Sequence, residues 1–277
     1  MIKEEIQNQI IQAVETVRRT NPMVGSITNT VTINFVANAQ LAVGGSAAMV
    51  YLPDEGEFLA QAGGATYINV GTLLPIYEET LPRVAKVLHD TDKPWVLDPV
   101  AVGIGTLRTL LLRQFKEYKP DVIRGNASEI IALAGLWELE GGTAISKVRG
   151  VDSTDSVNAA KTAAVALAKW TGGAVAVSGK TDLITDGSVI AFSHGGSHLM
   201  PQITGSGCSL GGVVAVYATA ASPFIAALTA TAVYNLAGKR AEQRVHGPGS
   251  FQVQFLDELY QATAAEIADN PFEIEEV

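Results

Sequence analysis

From residue 65 onward the chain alternates short apolar runs with longer segments of helical periodicity, and few folds accommodate that rhythm. The run 65-ATYINVGTL-73 reads as a buried strand, and 76–91 as a helix that lines up Leu81, Val84, Ala85 and Leu88 on one face. A strand at 95–100 ends in Asp-Pro, a helix follows over 106–118, and a short strand at 121–126 stops at Gly-Asn, where a helix opens through 127–135. An Ala-rich helix is predicted over 154–170, capped by Ser153 or Thr154, then a strand at 174–179 and a hairpin at 182–192 that turns on Asp186-Gly187. The remainder reads as helical throughout, over 208–221, 223–245 and 251–268. Such alternation specifies an α/β fold, a largely parallel central sheet with helices on both faces. Ligands of such folds sit beyond the carboxyl ends of the strands, so the residues just after each strand carry the functional information.

No Pro/Ser-rich, low-complexity or charge-run segment interrupts the 277 residues to make a linker, so a single domain over 1–277 is expected. The apolar fraction of 47% is high, yet no apolar run approaches the roughly 18 residues that span a bilayer, and the surplus points to contacts between subunits. The amphipathic start MIKEEIQNQI lacks the features of a secretory signal, so a cytoplasmic location is expected. One cysteine excludes a disulfide framework, and neither CxxC nor HExxH occurs to suggest zinc. The net charge of −9, with no basic cluster, argues against nucleic acid as a partner.

Several strand ends are chemically loaded: Asp98, the segment from Arg124 to Glu129, Ser178-Gly179, and the loop 204-TGSGC-208 before a helix. Each has a structural reading. Asp-Pro initiates turns, Asn126 with Glu129 three residues on fits a capping box, and 205-GSGC-208 fits a tight loop that caps an apolar helix. Their coincidence at one sheet edge points further. Two carboxylates, an arginine and a glycine-rich helix start are the inventory of magnesium-assisted phosphoryl transfer: carboxylates for the metal, Arg for phosphate oxygens, helix amides for the developing charge.

The segments 97-LDPVAVG-103, 123-IRGNASEI-130, 178-SGKTDLITDG-187 and 205-GSGC-208, with 25-GSITNTVTINFVAN-38 near the start, resemble hydroxyethylthiazole kinases, a thiamin-salvage branch of the ribokinase-like superfamily, from about residue 20 to 270. The resemblance implies a ribokinase-like fold, ATP-dependent phosphorylation of the primary alcohol of 4-methyl-5-(2-hydroxyethyl)thiazole, Mg²⁺ as cofactor, and a homotrimer with sites near subunit boundaries. It also implies roles: Met49 and Gly205 at the thiazole, with Asn29 as a further pocket residue; Arg124 and Ser178 at ATP; Asp98 and Glu129 at the metal and phosphates. Sugar, pyridoxal and hydroxymethylpyrimidine kinases of the superfamily usually carry Asp where this chain has Cys208. Two departures stand out. Ile104-Gly105 replaces the common Ala-Thr, and Ser178 stands where Thr is more frequent.

A thiol at a helix start is expected to have a lowered pKa and to serve as base or positioning group, while the amides of Gly205, Ser206, Gly207 and Cys208 form an anion hole. The runs 31-VTINFVAN-38 and 46-SAAMVY-51 supply few charges, which suits a neutral heteroaromatic substrate. Other readings stay open: phosphorylation of another small alcohol such as hydroxymethylpyrimidine or pyridoxal, a hydrolase pairing Cys208 with His194 or His198, a dinucleotide fingerprint at Gly205, Gly207 and Gly211, or a binding subunit that turns nothing over.

Overall fold

The structure, a computed structural model, describes residues 3–143 and 157–277. Its strands are β1 (Met23–Ile27), β2 (Ser46–Met49), β3 (Ala65–Asn69), β4 (Trp95–Asp98), β5 (Val122–Asn126), β6 (Ala174–Ser178), β7 (Asp182–Thr185), β8 (Val189–Ser193) and β9 (Phe272–Glu276). They form one sheet in the order β2-β1-β3-β4-β5-β6-β7-β8-β9. The pairs from β2 to β6 are parallel, and those from β6 to β9 antiparallel.

Side chains alternate across a strand, and the core divides accordingly. Val24, Tyr67, Val96 and Val122 join one buried cluster, while Ile27, Ile68, Leu97 and Ile123 join another. The first cluster is completed by α1 (Lys3–Thr20), α2 (Ile33–Ala42), α8 (Ser206–Ala218), α9 (Pro223–Glu242), α10 (Pro248–Gln261) and α11 (Ala264–Ala268). The second is covered by α3 (Pro53–Ala62), α4 (Tyr77–Asp90), α5 (Thr106–Tyr118), α6 (Ala127–Leu136) and α7 (Lys161–Thr171). Helices thus cover both faces of a mostly parallel sheet, as the alternation requires.

The predicted hairpin forms, its turn closed by Asp186 Oδ1, which accepts from the amides of Ser188 (2.8 Å) and Val189 (2.9 Å). The capping residues expected at Ser153 and Thr154 lie outside the described residues, where the segment resumes as a 3-10 turn, Val157–Ala160, leading into α7. The C-terminal region corrects the sequence reading twice. The helix expected over 251–268 is broken, because Thr263 starts a new cap: its Oγ1 accepts from Glu266 N (3.3 Å) while Glu266 Oε2 accepts from Thr263 N (2.9 Å). Beyond it the chain is not helical but adds β9, in which Phe272 is buried and Glu273 exposed, a period of two among acidic residues.

What positions the site is the close seating of α8 on the sheet. A Cβ at Gly207 would lie 2.6 Å from Arg124 Nη1, and one at Gly211 would lie 2.5 Å from Tyr67 Cε2. One turn apart on a helix, these glycines admit a guanidinium and a phenol from β5 and β3 against the helix backbone. Gly211→Ala is therefore expected to destabilise the protein by about 1–3 kcal/mol through overpacking, read as a lower denaturant midpoint at unchanged slope. Gly249→Ala, where an added Cβ meets nothing within 4 Å, is the control and shifts the midpoint little.

Candidate active site

The alternate positions that face α8 become polar at the carboxyl ends of the strands. Tyr67 and Asn69 on β3, Asp98 on β4 and Arg124 on β5 all turn toward α8, and all are buried. Arg124 Nη1 lies 3.5 Å from Asp98 Oδ2, and its Nη2 donates to Ser178 Oγ at the end of β6 (2.8 Å). Asp98 Oδ2 also accepts from the Tyr67 hydroxyl (2.9 Å) and from Asn69 Nδ2 (3.0 Å). Its other oxygen, Oδ1, is buried with no hydrogen-bond partner among the described residues, as is Arg124 Nε. Burial pushes the Asp98 carboxyl up, against the pull of Arg124, Tyr67 and Asn69.

Glu129 serves the predicted capping box and adjoins the charged cluster as well. Asn126 Oδ1 accepts from Glu129 N (3.0 Å) and Glu129 Oε2 accepts from Asn126 N (2.9 Å), while Oε1 reaches the amide of Ala101 (3.4 Å) in the loop after β4. Burial, then the neighbouring Asp98, push its carboxyl up to about 7, with Arg124 opposing. The departing Ile104-Gly105 pair belongs to that same loop, where Gly105 takes φ +80° before α5. Arg108 holds the loop to the segment after β3 by donating to the carbonyls of Ile104, Val70 and Gly71.

Above Arg124 stands the first turn of α8. Gly205, left-handed at φ +92°, precedes the helix without a side-chain cap, and Ser206, Gly207 and Cys208 face a cavity of about 890 Å³. Arg124, Glu129 and Ser178 lie on the same wall. Cys208 is half-buried, its Sγ accepting from Asn29 Nδ2 (3.4 Å). Its thiol corrects expectation: burial pushes it up and the charge of Asp98 adds to that, outweighing Arg124 and the hydrogen bond from Asn29, so the proton is held more tightly than on an ordinary cysteine.

The strand ends thus bring together Asn29, Asp98, Arg124, Glu129, Ser178 and 205–208. Met49 stands apart: it ends the edge strand β2, half-buried and off the cavity wall. The rival constellations find little support. His198 Nδ1 is paired with Glu242 (2.8 Å) and His194 faces Glu273 (3.9 Å), neither meeting Cys208. The glycine loop is preceded by a 3-10 turn, Met200–Gln202, rather than the strand a dinucleotide fingerprint follows.

Sequence reasoning missed Tyr67, Asn69 and Asp182. Asp182 is a half-buried carboxylate on the cavity wall, accepting from Gly179 N (2.9 Å) and Asn235 Nδ2 (2.9 Å), and desolvation pushes it up. The available signal was the polar residue that ends, or begins, an otherwise apolar strand.

Comparison with known proteins places these observations in a lineage. A family model described as the hydroxyethylthiazole kinase family matches residues 14–265. A protein of Bifidobacterium longum (strain DJO10A) named hydroxyethylthiazole kinase is 50% identical, over 96% of this chain and 90% of the relative. Among solved structures, the hydroxyethylthiazole kinase protein from Pyrococcus horikoshii OT3 superposes with a TM-score of 0.84 at 30% identity, over 97% of this chain and 98% of the other. The pyridoxal kinase from Staphylococcus aureus in complex with ADP shares the fold alone, with a TM-score of 0.61 at 18% identity over 92% and 99% of the two chains.

The Glu129 carboxyl supplies a stability test. Its folded pKa of about 7 lies above the ordinary value of 4.5, so its contribution is fully present below 4.5 and lost as pH rises through about 7. In chelator-treated protein, Tm is expected to fall between pH 5.5 and 8, and Glu129→Gln should flatten that slope. An unchanged slope in the folded variant contradicts the assignment.

Proposed function

Because the chain belongs to the hydroxyethylthiazole kinase family, we propose that it transfers the terminal phosphoryl group of ATP to the primary alcohol of 4-methyl-5-(2-hydroxyethyl)thiazole. The observation that carries the reading is the seating of Arg124 beneath Gly207, between Asp98 and Ser178, on the wall of a cavity faced by the amides of α8. Phosphoryl transfer asks a protein mainly to position its reactants and to stabilise spread negative charge, and this wall carries the groups for both.

In this reading Arg124 and the Ser178 hydroxyl engage the phosphates of ATP, and the amides of Ser206, Gly207 and Cys208 face oxygens that gain charge during transfer. Gly205, Asn29 and Met49 belong to the thiazole side. Cys208, whose proton is held by burial, positions the alcohol rather than meeting it as a thiolate, and loose phosphoryl transfer needs little base assistance. Asp98 and Glu129 fit a magnesium ion: both are buried hard oxygen donors, and Asp98 Oδ1 has no hydrogen-bond partner among the described residues. When bound, the ion neutralises charge on the phosphoryl oxygens.

The same reading includes a homotrimer and a cytoplasmic location. Exposed apolar side chains at Val31, Leu41, Leu52 and Phe58, with Met49 at a sheet edge, support burial between subunits. No helix among the described residues is long and apolar enough to cross a membrane.

A panel of small alcohols with ATP and Mg²⁺, followed by ADP release, tests the proposal. The thiazole alcohol should rank first, and a higher kcat/KM for hydroxymethylpyrimidine or pyridoxal would reassign the substrate. Two variants test the roles. Arg124→Lys keeps the charge but loses the forked geometry, so KM for ATP should rise much more than KM for the alcohol. Cys208→Ala should cost roughly 10²-fold or less in kcat, because the backbone amides survive it; complete inactivation of a folded protein would point to a covalent role.

A further inference from the structure

The amide of Asn69 is fully committed. At the end of β3, with no exposed surface, its Oδ1 accepts from Asn29 Nδ2 (3.0 Å) and Gly71 N (2.9 Å), while its Nδ2 donates to the Tyr67 hydroxyl (3.0 Å) and Asp98 Oδ2 (3.0 Å). A side-chain amide has two donors and two acceptor positions, and here each is used. The orientation is therefore unique. Turned over, it would set donor against donor at Gly71 and oxygen against oxygen at Asp98.

Two consequences leave this residue in opposite directions. Toward Asp98, Asn69 and Tyr67 both bind Oδ2, which leaves Oδ1 as the oxygen without a partner among the described residues. Toward the thiol, Asn69 fixes the flip of Asn29, whose Oδ1 accepts from Thr32 N (3.2 Å) and whose Nδ2 donates to Cys208 Sγ (3.4 Å). One buried amide thus ties the ends of β3 and β4 to the first turn of α8.

We propose that Asn69 is a positioning residue of the transfer reaction, setting which oxygen of Asp98 faces the phosphates and holding Asn29 on the thiol of Cys208. The reaction named here rests on the kinase reading above; the coupling to Cys208 rests on the hydrogen-bond geometry alone.

Two substitutions of similar volume test it. Asn69→Asp keeps the contacts of Oδ1 but sets an oxygen against Asp98 in place of the donor, and Asn69→Leu removes every hydrogen bond of the side chain. In both, with folding verified by circular dichroism and thermal melting, kcat should fall at least about tenfold while KM for ATP and for the thiazole alcohol stay within about threefold. Asn69→Leu should also change the rate at which iodoacetamide alkylates Cys208, the one thiol in the chain, by about threefold or more, because Asn29 is released from Sγ. Wild-type kcat in folded Asn69→Asp protein overturns the role toward Asp98. Unchanged alkylation in folded Asn69→Leu protein overturns the role toward the thiol. If wild-type protein releases no ADP with the thiazole alcohol, the kinase reading fails instead, and the alkylation comparison, which needs no turnover, still decides whether Asn69 governs Cys208.

Discussion

Arg124 lies buried beneath the first turn of α8, and a guanidinium removed from water is tolerable only where fixed oxygens and charges surround it. That requirement organises the neighbourhood. Asp98 supplies the countercharge from the adjacent strand, Ser178 a neutral acceptor from the other side, and Gly207 the space above. Asp98 in turn is a buried anion that needs donors of its own, which Tyr67 and Asn69 provide. The glycine-rich run therefore has a packing duty as well as a chemical one: without side chains at 207 and 211, the helix comes close enough for its amides and the sheet's charged groups to face one cavity.

Much of this was legible in the sequence, for an identifiable reason. The parallel strands are buried on both faces and read as apolar runs, so β3 to β6 stand out, and the polar residues that break the runs of β5 and β6 at their carboxyl ends, Arg124, Asn126 and Ser178, line the cavity. The capping box at Asn126 and Glu129 was legible for a local reason, its spacing of three. It proved compatible with a second duty, since the side chain that closes the cap also lies within the field of Asp98 and Arg124.

What escaped had non-local causes. Strand β9 carries glutamates on its exposed face and gains its strand character from pairing with β8, a contact between residues far apart in the chain. Asn69 looks like an ordinary polar residue at a strand end until β4 and the segment at Asn29 are placed beside it. The cysteine was read by its position on a helix, which favours the thiolate. Burial beside Asp98 disfavours it, and that neighbour arrives from a strand more than a hundred residues earlier.

The tightly held proton on Cys208 has a consequence beyond the transfer reaction. The thiolate is the form that attacks peroxides and disulfides, and the susceptible cysteines of proteins are those with low pKa and open access. A half-buried thiol whose proton is retained by burial and by a neighbouring carboxylate presents little of the reactive form at neutral pH. The chain contains no second cysteine to complete an internal disulfide. The same electrostatics that leave little thiolate to take a proton from the alcohol thus leave little for reaction with an oxidant, and this sulfur on the cavity wall is expected to reach its sulfenic acid more slowly than a low-pKa cysteine would.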